Sequence, residues 1–136
     1  MPMMIVTTTF FMMLAIQTLY ARVADLPAKP VPVVVLCNGD DGLTARICDA
    51  VKHDFSKSPD FTLEVANKPR IVIVRIPTNV GWKKVNGRIK VLYKVEFSLK
   101  EGRDLGSSGG SCWERSLNNC AVQVVSKTRD VLGQSP

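Results

Sequence analysis

Four cysteines are the residues of this chain whose spacing most invites a chemical reading, and two of them frame the stretch LCNGDDGLTARIC, Leu36 to Cys48. Asp40, Asp41 and two glycines lie between Cys37 and Cys48; Cys112 and Cys120 form a second, closer pair in the sequence. Zinc sites want CxxC-type spacing or nearby histidines, and neither cysteine pair has that spacing, while His53 is the single histidine. A thiol nucleophile needs a neighbouring base. His53 follows Cys48 by five residues, which on a helix turns it about 140° away, so it reads as a surface residue. A calcium loop needs alternating oxygen ligands and a distal glutamate; Asn38 and Asp40 begin such a series, and Gly42 ends it. Asp40 and Asp41 therefore read as turn and helix-cap residues. No Ser-His-Asp set, paired carboxylates or nucleotide fingerprint is visible, so no catalytic residue, metal ligand or cofactor is assigned.

Even-numbered cysteines acquire a structural meaning if the chain is exported, because disulfides persist in oxidising compartments. The opening MPMMIVTTTFFMMLAIQTLYARVADLP has no charged side chain before Arg22, a short apolar core over residues 5–19, and small residues at Ala21 and Ala24. It resembles a secretory signal peptide; the apolar core is short for a membrane span, and an uncleaved anchor is the alternative. Residues 1–24 are assigned to the signal and 25–136 to a single disulfide-bonded domain, placed in the periplasm or secreted, with no stable membrane span after signal removal. The formal net charge of +6 favours anionic partners, and export directs that preference to a protein or an anionic envelope polymer rather than nucleic acid.

The elements that position the cysteines follow from periodicity. VPVVVL reads as a buried strand. Leu43, Ile47, Val51 and Phe55 recur at helical spacing, with Asp41 as N-cap, and Pro59 ends the helix. FTLEVA and RIVIVRI are further strands, joined by a turn at NKPR. RIVIVRI, apolar on both faces at its start, reads as a central strand of a sheet. It runs on to Asn86-Gly87, the dipeptide that type I′ hairpins require. In the strand that follows, Ile89, Val91, Tyr93, Val95, Phe97 and Leu99 face one way, and Arg88, Lys90, Leu92, Lys94, Glu96 and Ser98 the other. A two-residue loop sets Val85 opposite Arg88 and Trp82 opposite Val91, with the Trp82 ring in the core. Carried further, this register sets Val80 opposite Tyr93, Ile76 opposite Phe97 and Val74 opposite Leu99. Pro77 lacks the N–H the ladder needs, which predicts a break near Pro77 to Asn79. GSSGGS reads as a flexible loop, and Ser111 and Glu114 have capping-box spacing for a last helix opening at Cys112, with Trp113 and Leu117 on its apolar side. The expected class is α+β, one mixed sheet of about four strands with two helices on one face, in the order β-α-β-β-β-α.

In that topology both helices start at the same end of the sheet. The expected disulfides are Cys37–Cys112 and Cys48–Cys120, with the local Cys37–Cys48 loop as the main competitor. A Cys112–Cys120 bond is disfavoured there because eight helical residues rise about 12 Å, against Cα separations of about 4.4–6.8 Å in disulfides. Lys83, Lys84, Arg88, Lys90 and Lys94 form a basic strip around the hairpin, a candidate partner-binding surface that also reads as a plain solvent face protecting a sheet edge.

ICDAVKHDFSKSPDFTLEV resembles the helix-then-strand unit near the start of mature TolB-type periplasmic proteins, through Asp54, Phe55, Ser58 and Phe61. The later GRIKVLYKVEFSL strand, glycine-containing turn and final helix are similar too, and the same element order occurs in accessory-lipoprotein and curli-secretion relatives. The resemblance implies a non-catalytic envelope module that docks proteins. The functional expectation is thus an exported, non-catalytic, macromolecule-binding or adaptor module. The alternatives are a small secreted enzyme, or a carrier of anions or small ligands using the Gly-Ser loop.

Overall fold

The computed structural model describes residues 29–64 and 70–133; the signal segment expected over residues 1–24 lies outside them. The described chain runs β1 (Val31–Cys37), α1 (Gly42–Lys57), β2 (Phe61–Leu63), β3 (Val72–Ile76), β4 (Gly81–Val85), β5 (Arg88–Leu99), β6 (Asp104–Trp113), a single 3₁₀ turn (Glu114–Ser116) and α2 (Leu117–Gly133). The class is α+β as expected, but the mixed sheet has six strands rather than four.

Two strand assignments change. FTLEVA and RIVIVRI, read as neighbours joined by a turn at NKPR, do not pair with each other: β2 and β3 flank β1 on opposite sides, and both are parallel to it. An unbroken apolar run suits a central strand screened on both faces, and Val33, Val34 and Val35 are all buried. The other change is at GSSGGS, which is no loop. It belongs to β6, antiparallel to β5 along nearly its whole length. One of its glycines, Gly110, is required by close packing. A Cβ on Gly110 would stand 2.4 Å from the Tyr93 hydroxyl and 2.5 Å from Gln123 Oε1. No helix opens at Cys112, and Ser111, the expected cap, pairs with Leu92 inside the sheet.

The hairpin register holds as far as the turn dictates it. Asn86 and Gly87 both take positive φ, 50° and 76°, and Val85 pairs with Arg88 and Trp82 with Val91. The break near Pro77 is present between β3 and β4. Beyond it the pairing changes, with Val74 opposite Phe97 and Val72 opposite Leu99. The offset from the extrapolated register is two residues, so the same side chains keep the same face.

Both helices pack on one face. The core beneath them joins Val33 and Val35 of β1, Val72, Val74 and Ile76 of β3 and Val91 to Phe97 of β5 to Ile47, Val51 and Phe55 of α1 and Ala121, Val124 and Val125 of α2. The Trp82 ring is not in that core. It shares a face with Val91 yet is 61% exposed, because β4 is exposed over nearly its whole length and the helix layer stops short of it.

The disulfides are Cys37–Cys48 and Cys112–Cys120, so the expected long-range pairing is wrong and its local competitor is right. The cause is the misplaced helix start. Cys112 ends a strand, the 3₁₀ turn reverses the chain, and Cys120 in the first turn of α2 returns to a Cα distance of 5.5 Å. Likewise α1 folds back over β1, bringing Cys48 to 6.5 Å from Cys37.

Candidate functional site

The NGDDG loop does structural work. Asp41 caps α1, its carboxylate accepting from Thr44 N at 2.7 Å. Asn79, inside the break between β3 and β4, holds the same loop from outside. Its Oδ1 accepts from the backbone N–H of Asp40 at 2.8 Å and Asp41 at 3.2 Å, and its Nδ2 donates to Asp40 Oδ1 at 2.8 Å. Gly39 must be glycine here, since a Cβ would lie 2.3 Å from Asn79 Oδ1. Hydrogen bonds from Thr44, side chain first and then backbone, hold the Asp41 carboxyl below its usual 3.8. A depressed folded-state value means the contribution is complete above 3.8 and is lost as pH falls below it through the folded-state value. Asp41→Asn should therefore be less stable than the parent at neutral pH. The gap should close on acidification below 3.8, read as urea midpoints against pH; a gap that stays constant would remove the carboxylate from the cap.

His53 is exposed on α1, and its carbonyl accepts from Ser56 Oγ at 2.6 Å. The four cysteines are all bonded. Neither supplies a nucleophile or a base to the other.

The basic strip is divided by the pleat. Lys83, Arg88, Lys90 and Lys94 share the face turned away from the helices, while Lys84, opposite Ile89, lies on the other face with Trp82. Sequence reasoning missed the residue that organises the first group. Trp113 ends β6 beside Lys90, and the Arg88 guanidinium sits 4.2 Å from its ring centroid, with Lys90 Nζ at 5.9 Å. Periodicity puts Trp113 on the apolar side of a helix, and only the correct strand assignment could have placed it in the strip. Gly87, Arg88, Ile89, Trp113, Glu114 and Arg115 line a notch of about 150 Å³ at this corner. The Glu114 carboxylate is already engaged by Arg46 at 3.1 Å, which leaves Arg88 and Arg115 to set the notch's charge. This arrangement can hold an acidic group against an aromatic edge.

Behind the strip, a polar network ties α2 to the sheet. Tyr93 donates to Gln123 Oε1 at 2.9 Å, and Gln123 Nε2 donates to the Ser111 carbonyl at 3.0 Å. Burial pushes the Tyr93 hydroxyl up to about 12, so it remains a donor throughout the neutral range.

Among the described residues, no helix is long and apolar enough to cross a membrane. No family model matches the chain, and no curated protein matches it. The fold does match solved structures. A PelC dodecamer subunit from Paraburkholderia phytofirmans superposes with a TM-score of 0.51 at 15% identity, over 77% of this chain and 90% of that one. A DUF330-family protein from Xanthomonas campestris gives 0.53 at 10% identity, over 80% and 91%. A minor lipoprotein from Acinetobacter baumannii gives 0.45 at 11% identity, over 71% and 94%. At such identities the likeness is one of fold. It falls on PelC- and DUF330-type chains rather than on the TolB-type domain suggested by the segment around Phe55, so the sequence resemblance holds only at the level of a shared α+β arrangement.

Proposed function

We propose that this chain is an exported, non-catalytic module that binds an anionic macromolecule, a protein or an acidic envelope polymer, through the hairpin corner where Arg88 lies over Trp113. Export is supported by the apolar opening segment and by the oxidation of all four cysteines, which fits the periplasm or the exterior. The observation that carries the reading is the grouping of Lys83, Arg88, Lys90 and Lys94 on one face around an aromatic edge. The Gly-Ser carrier reading loses its support, since those residues form an edge strand and no helix begins at them.

The face, not the overall charge, is the claim under test. The variant carrying Lys83→Glu, Arg88→Glu, Lys90→Glu and Lys94→Glu should bind alginate and polyglutamate roughly tenfold or more weakly than the parent. Lys84→Glu on the opposite face should change binding by about twofold at most. Fluorescence anisotropy at low and high salt reads both. Equal loss per charge in the two variants would mean that net charge alone attracts polyanions; undiminished binding by the fourfold variant would end the proposal.

A further inference from the structure

At the far end of the same face, away from the hairpin, a second polar site is assembled from three strands. Arg75 of β3 pairs with Glu96 of β5, and Glu96 pairs with Ser107 of β6, so the three stand in one row across the sheet. Ser98 opposite Asp104 forms the next row. These side chains, with Phe97, Gly102 and Gly106, line a cleft of about 320 Å³, within the range of small-molecule sites. Gly106 takes a φ of 115° at the register irregularity between Phe97 and Ser98, and such bulges commonly adjoin sites.

The charges in this cleft are left unmatched. Arg75 and Glu96 are direct cross-strand partners of opposite sign, yet among the described residues no ion pair joins them. Arg75 Nε is buried and, among the described residues, donates to nothing. A buried donor on a charged group is costly to leave unpaired, and a guanidinium fork is shaped for a carboxylate. Asp104 Oδ1 accepts from Gly106 N at 2.8 Å, which fixes that carboxylate at the cleft wall. One cation and two carboxylates repel a plain anion and a polyanion. They suit a ligand that carries both signs close together.

We infer that this cleft binds a small zwitterion of the α-amino acid or short-peptide class, its carboxylate on the Arg75 guanidinium and its ammonium between Glu96 and Asp104. The Ser98 and Ser107 hydroxyls can serve either end. This site is separate from the hairpin corner, and its test is independent of the polyanion proposal.

The oxidised, full domain is titrated by ¹H–¹⁵N NMR with glycine and glycylglycine. Acetate supplies the anion alone, ethylammonium the cation alone, and inorganic phosphate a general anion. The amides of Glu96, Ser98, Gly106 and Ser107 should shift saturably with both zwitterions, while acetate, ethylammonium and phosphate should need about tenfold higher concentrations or more. Arg75→Gln and Glu96→Gln should each weaken zwitterion binding by about tenfold, with spectra otherwise those of the folded parent. The fourfold hairpin variant should bind zwitterions as the parent does. Three outcomes overturn the inference: acetate or phosphate binding as well as glycine, binding unaffected by Glu96→Gln, or no saturable shift at all, which would leave the cleft to water.

Discussion

Reduction of both disulfides should destabilise the domain by about 5 kcal/mol. In the chain-entropy account the Cys37–Cys48 and Cys112–Cys120 bonds close loops of sequence separation 11 and 8, worth about 2.8 and about 2.5 kcal/mol respectively. Domains of this size hold only about 5–15 kcal/mol in total. Reduced protein should therefore sit at the edge of unfolding at physiological temperature, and its urea midpoint should collapse. The two bonds are also separable. Cys37→Ser with Cys48→Ser should remove about half of the effect, and Cys112→Ser with Cys120→Ser the other half, because they lock different turns. Peptide mapping without reductant checks the pairing itself. Recovery of a peptide joining Cys37 to Cys112 would overturn this connectivity, and an unchanged midpoint after reduction would overturn the energetics. Recovery of all four cysteines as free thiols from native protein would remove the main physical support for an oxidising compartment.

The same cysteines show what could be read from the residues and what could not. Helix α1, its Asp41 cap and the Asn86-Gly87 hairpin depend on neighbours in sequence, and all were legible. So was the alternation along β5, whose two faces separate the core from the charged surface as expected. The failures depend on contacts between distant residues. GSSGGS has the composition of a loop because Gly110 must admit Tyr93 and Gln123, and neither partner is near it in the chain. Mistaking that strand for a loop moves the last helix start to Cys112, and the helical-rise argument against Cys112–Cys120 then follows from a false premise. The placement of β1 between β2 and β3 is hidden because adjacent strands usually pair, whereas β3, read as a central strand, does lie inside the sheet between β1 and β5. Both helices still begin at the same end of the sheet, since an unseen strand and a β2–β3 pairing that does not form reverse the direction twice. Of the five cations of the basic strip, Lys83, Arg88, Lys90 and Lys94 lie on one face of the sheet and Lys84 on the other. Trp113 and the Arg75 cleft required the β5–β6 register, and that register was hidden by the glycines.

Phe55→Ala should produce the other large loss, about 3–5 kcal/mol for lost burial and the cavity together. Phe55 is fully buried at the end of α1, and its ring meets that of Phe61 edge-on, with centroids 5.1 Å apart at 90°. The aromatic pairing adds about 0.5–1.5 kcal/mol. Phe61 opens β2, a three-residue edge strand that among the described strands pairs with β1 alone, so this ring is a main anchor of that edge. The Arg129 guanidinium of α2 also lies 5.7 Å from the Phe61 ring centroid, and Arg129 binds Asp60 at 2.7 Å and Ser58 at 2.8 Å. These exposed polar contacts are worth about 1 kcal/mol or less each and cannot replace the ring. In Phe55→Ala, amide exchange should therefore rise first in β2 and the last turn of α1, at denaturant concentrations where β5 remains protected. Phe55→Leu, which keeps most of the volume, should cost about 1.5 kcal/mol or less and preserve the order of exchange. If β2 and β5 lost protection together in Phe55→Ala, the edge would be part of one cooperative unit with the central sheet, and the ring's role would be that of any core residue rather than an anchor for one strand.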